Sequence, residues 1–181
     1  MYKRQAYTED GKPARIDKGF TWENPMSSHG LMHTVISNCH SGDPYKIDTL
    51  FLYMANMAWN SSMNTEETIR KLTERDADSD EYKIPRIIYS DSYYSETVAY
   101  ADLILPDTTY LERYDCISLL DRPIGEPDQV SDAIRWPVVK PDRDVRSFQD
   151  VLLQIGVMLK LPGMVDKNKQ PLYEDLSLIH I

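Results

Sequence analysis

The chain has 181 residues, 41% of them hydrophobic and 12 of them tyrosine, which is enough apolar mass for a packed core and excludes general disorder. Its formal charge of −9 argues against non-specific binding to nucleic acid or an anionic membrane, while leaving room for a local basic site that holds a phosphate. No run is long and apolar enough to span a bilayer, and the two cysteines, Cys39 and Cys116, form no CxxC pair of the kind used by zinc ribbons and iron–sulfur centres.

The two ends read as processing scars. LSLIHI at 176–181 and MYKRQ at 1–5 are translations of opposite strands of a sequence that resembles the mosaic-end adapter of transposase-based sequencing libraries. Residues 1–5 and 176–181 are therefore expected to be adapter-derived tags, with Ala6–Asp175 cut from a longer chain. Residues 6–47 then form an incoming loop and a short helix. Gly11, Pro13, Gly19 and Pro25 mark the loop, and Leu31, Met32, Val35 and Ile36 mark the helix, which Ser41-Gly-Asp-Pro44 stops.

A core of alternating strands and helices is expected over 48–115. The continuous apolar run Asp48–Met57 suits a strand buried on both faces. Asn64 precedes Thr65, Glu66 and Glu67 as an N-cap with acids in the first turn, and Ile69 and Leu72 supply that helix's inner face. Glu74–Glu81 reads as a solvated turn. A second strand, Ile84–Tyr89, ends at Ser90-Asp91, Ser95 caps a helix through Tyr100, and Leu103–Leu105 forms a third strand stopped by Pro106. This order predicts a Rossmann-like parallel α/β sheet with helices on both faces and a ligand face at the carboxyl ends of the strands. Residues 116–175 form a loop-rich extension with one helix: Asp121–Asp128 is a loop, Trp136–Val139 an extended segment, and Phe148–Leu161 a helix with Val151, Leu152, Ile155 and Leu159 at helical spacing.

The strand ends carry Asn56, Ser90-Asp91 and the polar run after Leu105, but no GxGxxG, so an ordinary NAD site is disfavoured. A carboxylate at Asp91 is able to accept two hydrogen bonds from a guanine edge or from ribose hydroxyls, and equally able to form a turn or a helix cap. Arg113 offers a clamp for phosphate or ribose, and Glu112-Arg113 equally offers a surface ion pair. His29 and His33, with Cys39 and His40 downstream, match no specific metal-ligand spacing. Tyr89, Tyr93 and Tyr94 lack the basic surround of a base-stacking surface and read as packing residues.

The segment IYSDSYYSETVAYADLILPDTTYLERYD, residues 88–115, resembles a signature of the molybdopterin oxidoreductases of the dimethyl sulfoxide reductase family: a strand ending in Ser-Asp or Gln-Asp, a helix with Thr-Glu or a similar pair, AD(V/L)(V/I)LP, and Glu followed by a base. A looser likeness extends from about Asn24 to Gly163. MANMAWNSSMN and DCISLLDRPIG resemble the sulfur-oxyanion branch, and within it the type that oxidises sulfite. The resemblance implies a segment of a larger multidomain enzyme that grips the guanosine end of one of two molybdopterin guanine dinucleotides. Ser90 and Asp91 are the implied nucleotide contacts, Arg113 meets its polar edge, and Asn56 is a further cofactor contact. The implied reaction is oxidation of sulfite to sulfate, with no catalytic residue and no metal ligand in this segment. The resemblance also implies a [4Fe-4S] cluster in an amino-terminal part, an iron–sulfur partner protein, a membrane anchor, and a cytoplasmic site associated with the membrane through those partners, with a periplasmic site as the alternative. Two alternatives stand beside it: the same fold and cofactor reducing thiosulfate, polysulfide or another oxyanion, and a stand-alone Rossmann-like nucleotide-binding or interaction module.

Overall fold

The computed structural model describes residues 11–12, 34–43, 45–60, 64–117 and 133–172. Both end segments, most of the incoming loop, His29, His33 and the loop at 121–128 lie outside the described residues. The elements follow in the order α1 (Val35–Ser41), β1 (Thr49–Tyr53), α2 (Thr65–Thr73), β2 (Arg86–Asp91), a 3-10 helix (Glu96–Tyr100), β3 (Leu103–Pro106), β4 (Asp115–Ile117), β5 (Ala133–Arg135) and α3 (Phe148–Met158). Strands β1, β2 and β3 lie side by side in that order as a parallel sheet, the expected α/β class. The chain divides into two compact units, residues 1–89 with 94–104 and residues 90–93 with 105–181.

In the first unit, local signals act as expected at three element ends. Gly42 closes α1 in the left-handed conformation at φ 68°, which glycine adopts without a Cβ penalty. The Asn64 side chain accepts the Glu67 N–H at 3.1 Å and caps α2, whose Leu72 is buried and whose Ile69 packs against the core. Asp76 folds the acidic run into a turn by accepting the N–H groups of Asp78 and Ser79.

The strands depart from their expected bounds. β1 stops at Tyr53 rather than Met57, because Met54 turns to φ 48°. Only its Leu50 and Leu52 side is fully buried. Met57 and Ala58 reach the core from the following turn, beside Ile36, Leu72, Ile84, Ile87, Tyr89 and Val98. β2 starts after Pro85, which has no N–H for the ladder, and continues through Ser90 and Asp91 instead of ending before them. The segment behind Ser95 is a 3-10 helix, and Ser95 makes no side-chain cap; its hydroxyl bonds the Tyr89 hydroxyl at 2.8 Å.

The second unit contains a feature absent from the sequence reading. β4 and β5 pair antiparallel with Asp115 opposite Arg135, Cys116 opposite Ile134 and Ile117 opposite Ala133. Three residues per strand are too few to display a period. Val138 and Val139 both donate to the Leu111 carbonyl, so the extended segment after β5 is held by one oxygen rather than by a ladder. Ser147 caps α3 by accepting the Asp150 N–H at 3.2 Å. The helix forms where expected, yet it buries Leu153 and Gly156, not the predicted face of Val151, Leu152, Ile155 and Leu159. No helix among the described residues is long and apolar enough to cross a membrane.

Candidate functional site

Three of the four candidate residues, Ser90, Asp91 and Arg113, fall in the second unit; Asn56 falls in the first. Strand alternation separates the first pair. Ser90 is 1% exposed, and its hydroxyl has no hydrogen-bond partner among the described residues, an arrangement that buried polar groups rarely tolerate. Asp91, next in the strand, is half-buried. One of its carboxylate oxygens accepts the Tyr93 N–H at 3.1 Å, which makes it the turn former anticipated as one option. Its backbone carbonyl accepts the Asp107 N–H at 2.9 Å, and the Ser92 hydroxyl donates to the Thr108 carbonyl at 2.6 Å. The polar run after β3 is thereby tied to the end of β2.

Asp107 is the hub of that run. Its side chain is fully buried; Oδ2 accepts from Arg113 Nη1 at 2.6 Å, and Oδ1 accepts the N–H groups of Thr108 at 2.7 Å and Phe148 at 3.0 Å. The Phe148 N–H is one of the unsatisfied donors at the start of α3, so the carboxylate serves the helix as well as the arginine. Arg113 is itself buried. Its Nη1 also donates to the Thr108 carbonyl at 3.0 Å, its Nε lies 3.5 Å from an Asp115 oxygen, and its guanidinium sits 4.9 Å from the centre of the Tyr110 ring. Arg135 approaches the same ring at 4.8 Å and pairs with Asp115 at 2.6 Å.

Glu112 does not pair with Arg113. It takes Arg143 in a two-pronged ion pair with both contacts at 2.6 Å, and it accepts the N–H and hydroxyl of Thr109 at 2.8 and 2.9 Å. The Arg143 hydrogen bonds, followed by the Thr109 N–H, hold its carboxyl well below the usual range, at about 2.

In the first unit, Asn56 lies in the turn beyond β1 rather than at the strand end. Its Oδ1 accepts the N–H of Thr97 at 3.1 Å and the Thr97 hydroxyl at 2.7 Å, and its Nδ2 donates to Glu96 at 2.5 Å. The Thr97 hydroxyl in turn accepts the Ala58 N–H at 2.9 Å. Asn56 therefore staples its turn to the 3-10 helix, with the amide hydrogen bond drawing the Glu96 carboxyl below its ordinary value.

No protein-family model matches the chain. Among curated proteins, it is 52% identical over 166 residues to a sulfite dehydrogenase subunit of Allochromatium vinosum, a match that covers 92% of this chain and 17% of that protein. A more distant relative is a tetrathionate reductase subunit of Salmonella typhimurium, 26% identical over 148 residues, or 76% of this chain and 13% of that one. These similarities support the reading of the chain as a fragment of a molybdopterin oxidoreductase. The chain thus spans less than a fifth of the length of the curated relatives it matches, and both of those are named as subunits.

Sequence reasoning singled out Arg113 but not the groups that hold it. Asp107 was legible in part: an Asp followed by Thr-Thr immediately after a strand-ending proline is a common backbone-gathering pattern. Arg143 carried no such signal, being 31 positions from Glu112.

Proposed function

We propose that this chain is part of an oxidoreductase that carries a molybdenum bis-molybdopterin guanine dinucleotide, oxidises sulfite to sulfate, and uses this segment to help hold the guanosine end of one cofactor. The observation that carries the reading is the 52% identity to the sulfite dehydrogenase relative over 92% of the chain. The local chemistry fits a guanosine. Asp91 is a half-buried carboxylate at a strand end, suited to accept the donor edge of guanine, and Ser90, on the other side of the strand, keeps a buried hydroxyl without a partner among the described residues. Arg113 serves this face indirectly: enclosed by Asp107 and the Thr108 carbonyl, it fixes the polar run that is bonded to Asp91. Asn56, in the first unit, sets the turn after β1.

When bound, such a cofactor supplies two-electron chemistry with water as the source of the added oxygen, and the protein supplies placement and electrostatics. A [4Fe-4S] cluster belongs to a part of the polypeptide outside this chain. An iron–sulfur protein and a membrane anchor complete the assembly, on the cytoplasmic side of a membrane. A second reading, reduction of a sulfur oxyanion, is supported by the relative named tetrathionate reductase.

The test is Asp91→Ala in the full-length protein, with molybdenum and released guanosine nucleotide measured per polypeptide. Both are expected to fall several-fold while the circular dichroism spectrum is unchanged. Wild-type cofactor content in that variant would remove Asp91 from the site. Sulfite-dependent dye reduction by the wild-type protein decides the substrate, since reduction of tetrathionate or thiosulfate without sulfite oxidation favours the second reading.

A further inference from the structure

The polar run after β3 is braced by a later segment of the same unit. Val138 and Val139 donate to the Leu111 carbonyl at 2.7 and 3.1 Å, and the Arg146 N–H donates to the Pro106 carbonyl at 3.1 Å. Residues 138–146 are thus fastened beside Leu111 and again beside Pro106, and Arg143 is carried between the two fastenings. Its Nη1 and Nη2 donate to Oε1 and Oε2 of Glu112, both at 2.6 Å. The Glu112 side chain is 9% exposed, and among the described residues Arg143 is its one ion-pair partner, since Arg113 is committed to Asp107. A planar guanidinium on both oxygens fixes the plane of a carboxylate, which a point charge does not. That plane matters because Glu112 Oε2 also accepts the N–H and the hydroxyl of Thr109. Next to Thr109 stand Thr108, whose carbonyl takes the Ser92 hydroxyl, and Asp107, whose N–H meets the Asp91 carbonyl.

We infer that Arg143 is a positioning residue for the candidate nucleotide face: it locks Glu112, Glu112 locks Thr109, and the backbone of residues 107–109 holds the end of β2 where Asp91 is presented. The inference rests on the proposed guanosine-binding role of Asp91 and adds to it a residue remote in sequence that touches no ligand. Arg143 is 43% exposed, and an exposed pair contributes little to global stability, so its loss acts on this run and not on the whole fold.

The experiment compares Arg143→Gln, Arg143→Lys and Asp91→Ala with the wild type in the full-length protein. Amide hydrogen exchange is read by mass spectrometry at residues 91–93 and 107–112, with α2 as internal reference, on protein from a host that makes no pterin. Lost ligand then cannot itself expose the amides. Guanosine nucleotide released per polypeptide is read on protein from a host that makes it. In Arg143→Gln, exchange at both segments is expected to rise at least about ten-fold while α2 keeps its wild-type rate, and nucleotide content is expected to fall several-fold. Arg143→Lys keeps the charge without the fork and should follow the glutamine variant. Unchanged exchange at residues 91–93 overturns the inference, because the brace then ends at Thr109. So does equal acceleration of α2, which marks a general loss of stability, and so does wild-type protection with lysine. Wild-type nucleotide content in Arg143→Gln beside a depleted Asp91→Ala also overturns it. Wild-type content in both variants, with residues 91–93 loosened in Arg143→Gln, leaves the brace standing and removes the guanosine reading.

Discussion

Removing the guanidinium of Arg113 would strand the Asp107 carboxylate in a site without water, because both side chains are enclosed. Breaking one half of such a buried pair costs about 3–5 kcal/mol, far more than an exposed pair is worth. Arg113→Ala is accordingly expected to lower the unfolding free energy measured by urea denaturation by about 3–5 kcal/mol, and a change below about 1 kcal/mol would mean that the pair is solvated. Glu112 behaves differently, since its partner Arg143 is exposed. Its carboxyl is depressed in the folded state to about 2. The stabilisation it provides is therefore complete above the unfolded carboxylate value near ~4.3 and is lost as pH falls toward the folded value. Denaturation of the wild type and of Glu112→Gln should differ by a constant amount from pH 7 to about 5, and the two curves should converge between pH ~4 and ~2. A difference that persists unchanged to the lowest pH would show that the stabilisation is not ionic.

At the scale of elements, α3 shows how packing overrides propensity. Gly156 lies on its buried side, where a Cβ would come 2.9 Å from Cγ of Met164. Alanine is favoured over glycine in a helix by about 1 kcal/mol, whereas forcing atoms into a filled space costs about 1–3 kcal/mol. Since the opposing atom is in the middle of the methionine side chain, overlap should dominate. Gly156→Ala is expected to destabilise by up to about 2 kcal/mol, and Met164→Ala in the same chain should recover most of that loss, leaving a clear coupling in the double-mutant cycle. A Gly156→Ala variant more stable than wild type would show that Met164 moves aside freely. The same competition shortens β1. Its apolar run extends to Met57, but the left-handed turn at Met54 sends Met57 and Ala58 into the core by another route.

For the whole molecule, the expected behaviour follows from how little of a large cofactor one segment is able to enclose. On the function proposed above, the 181-residue chain, expressed alone, is expected to bind no pterin tightly, because it spans less than a fifth of the relatives' length and would supply only part of the burying surface. Stoichiometric pterin fluorescence in the purified chain would refute this. Much of the architecture was readable from the residues alone: the α/β order, the N-cap at Asn64, the stop at Gly42, and the position of Ser90-Asp91 at the end of a strand. These features depend on interactions within about four residues or on the period of one apolar run, and such information is local. The tertiary structure alone decided the partners of the charged groups and the orientation of α3. Asp107 meets Phe148 across 41 positions and Glu112 meets Arg143 across 31, so Arg113 takes Asp107 instead of its neighbour. No periodicity encodes a pairing of that span. It is settled when the start of α3 comes to rest against the end of β3, where one buried carboxylate must satisfy a helix N-terminus and a guanidinium together.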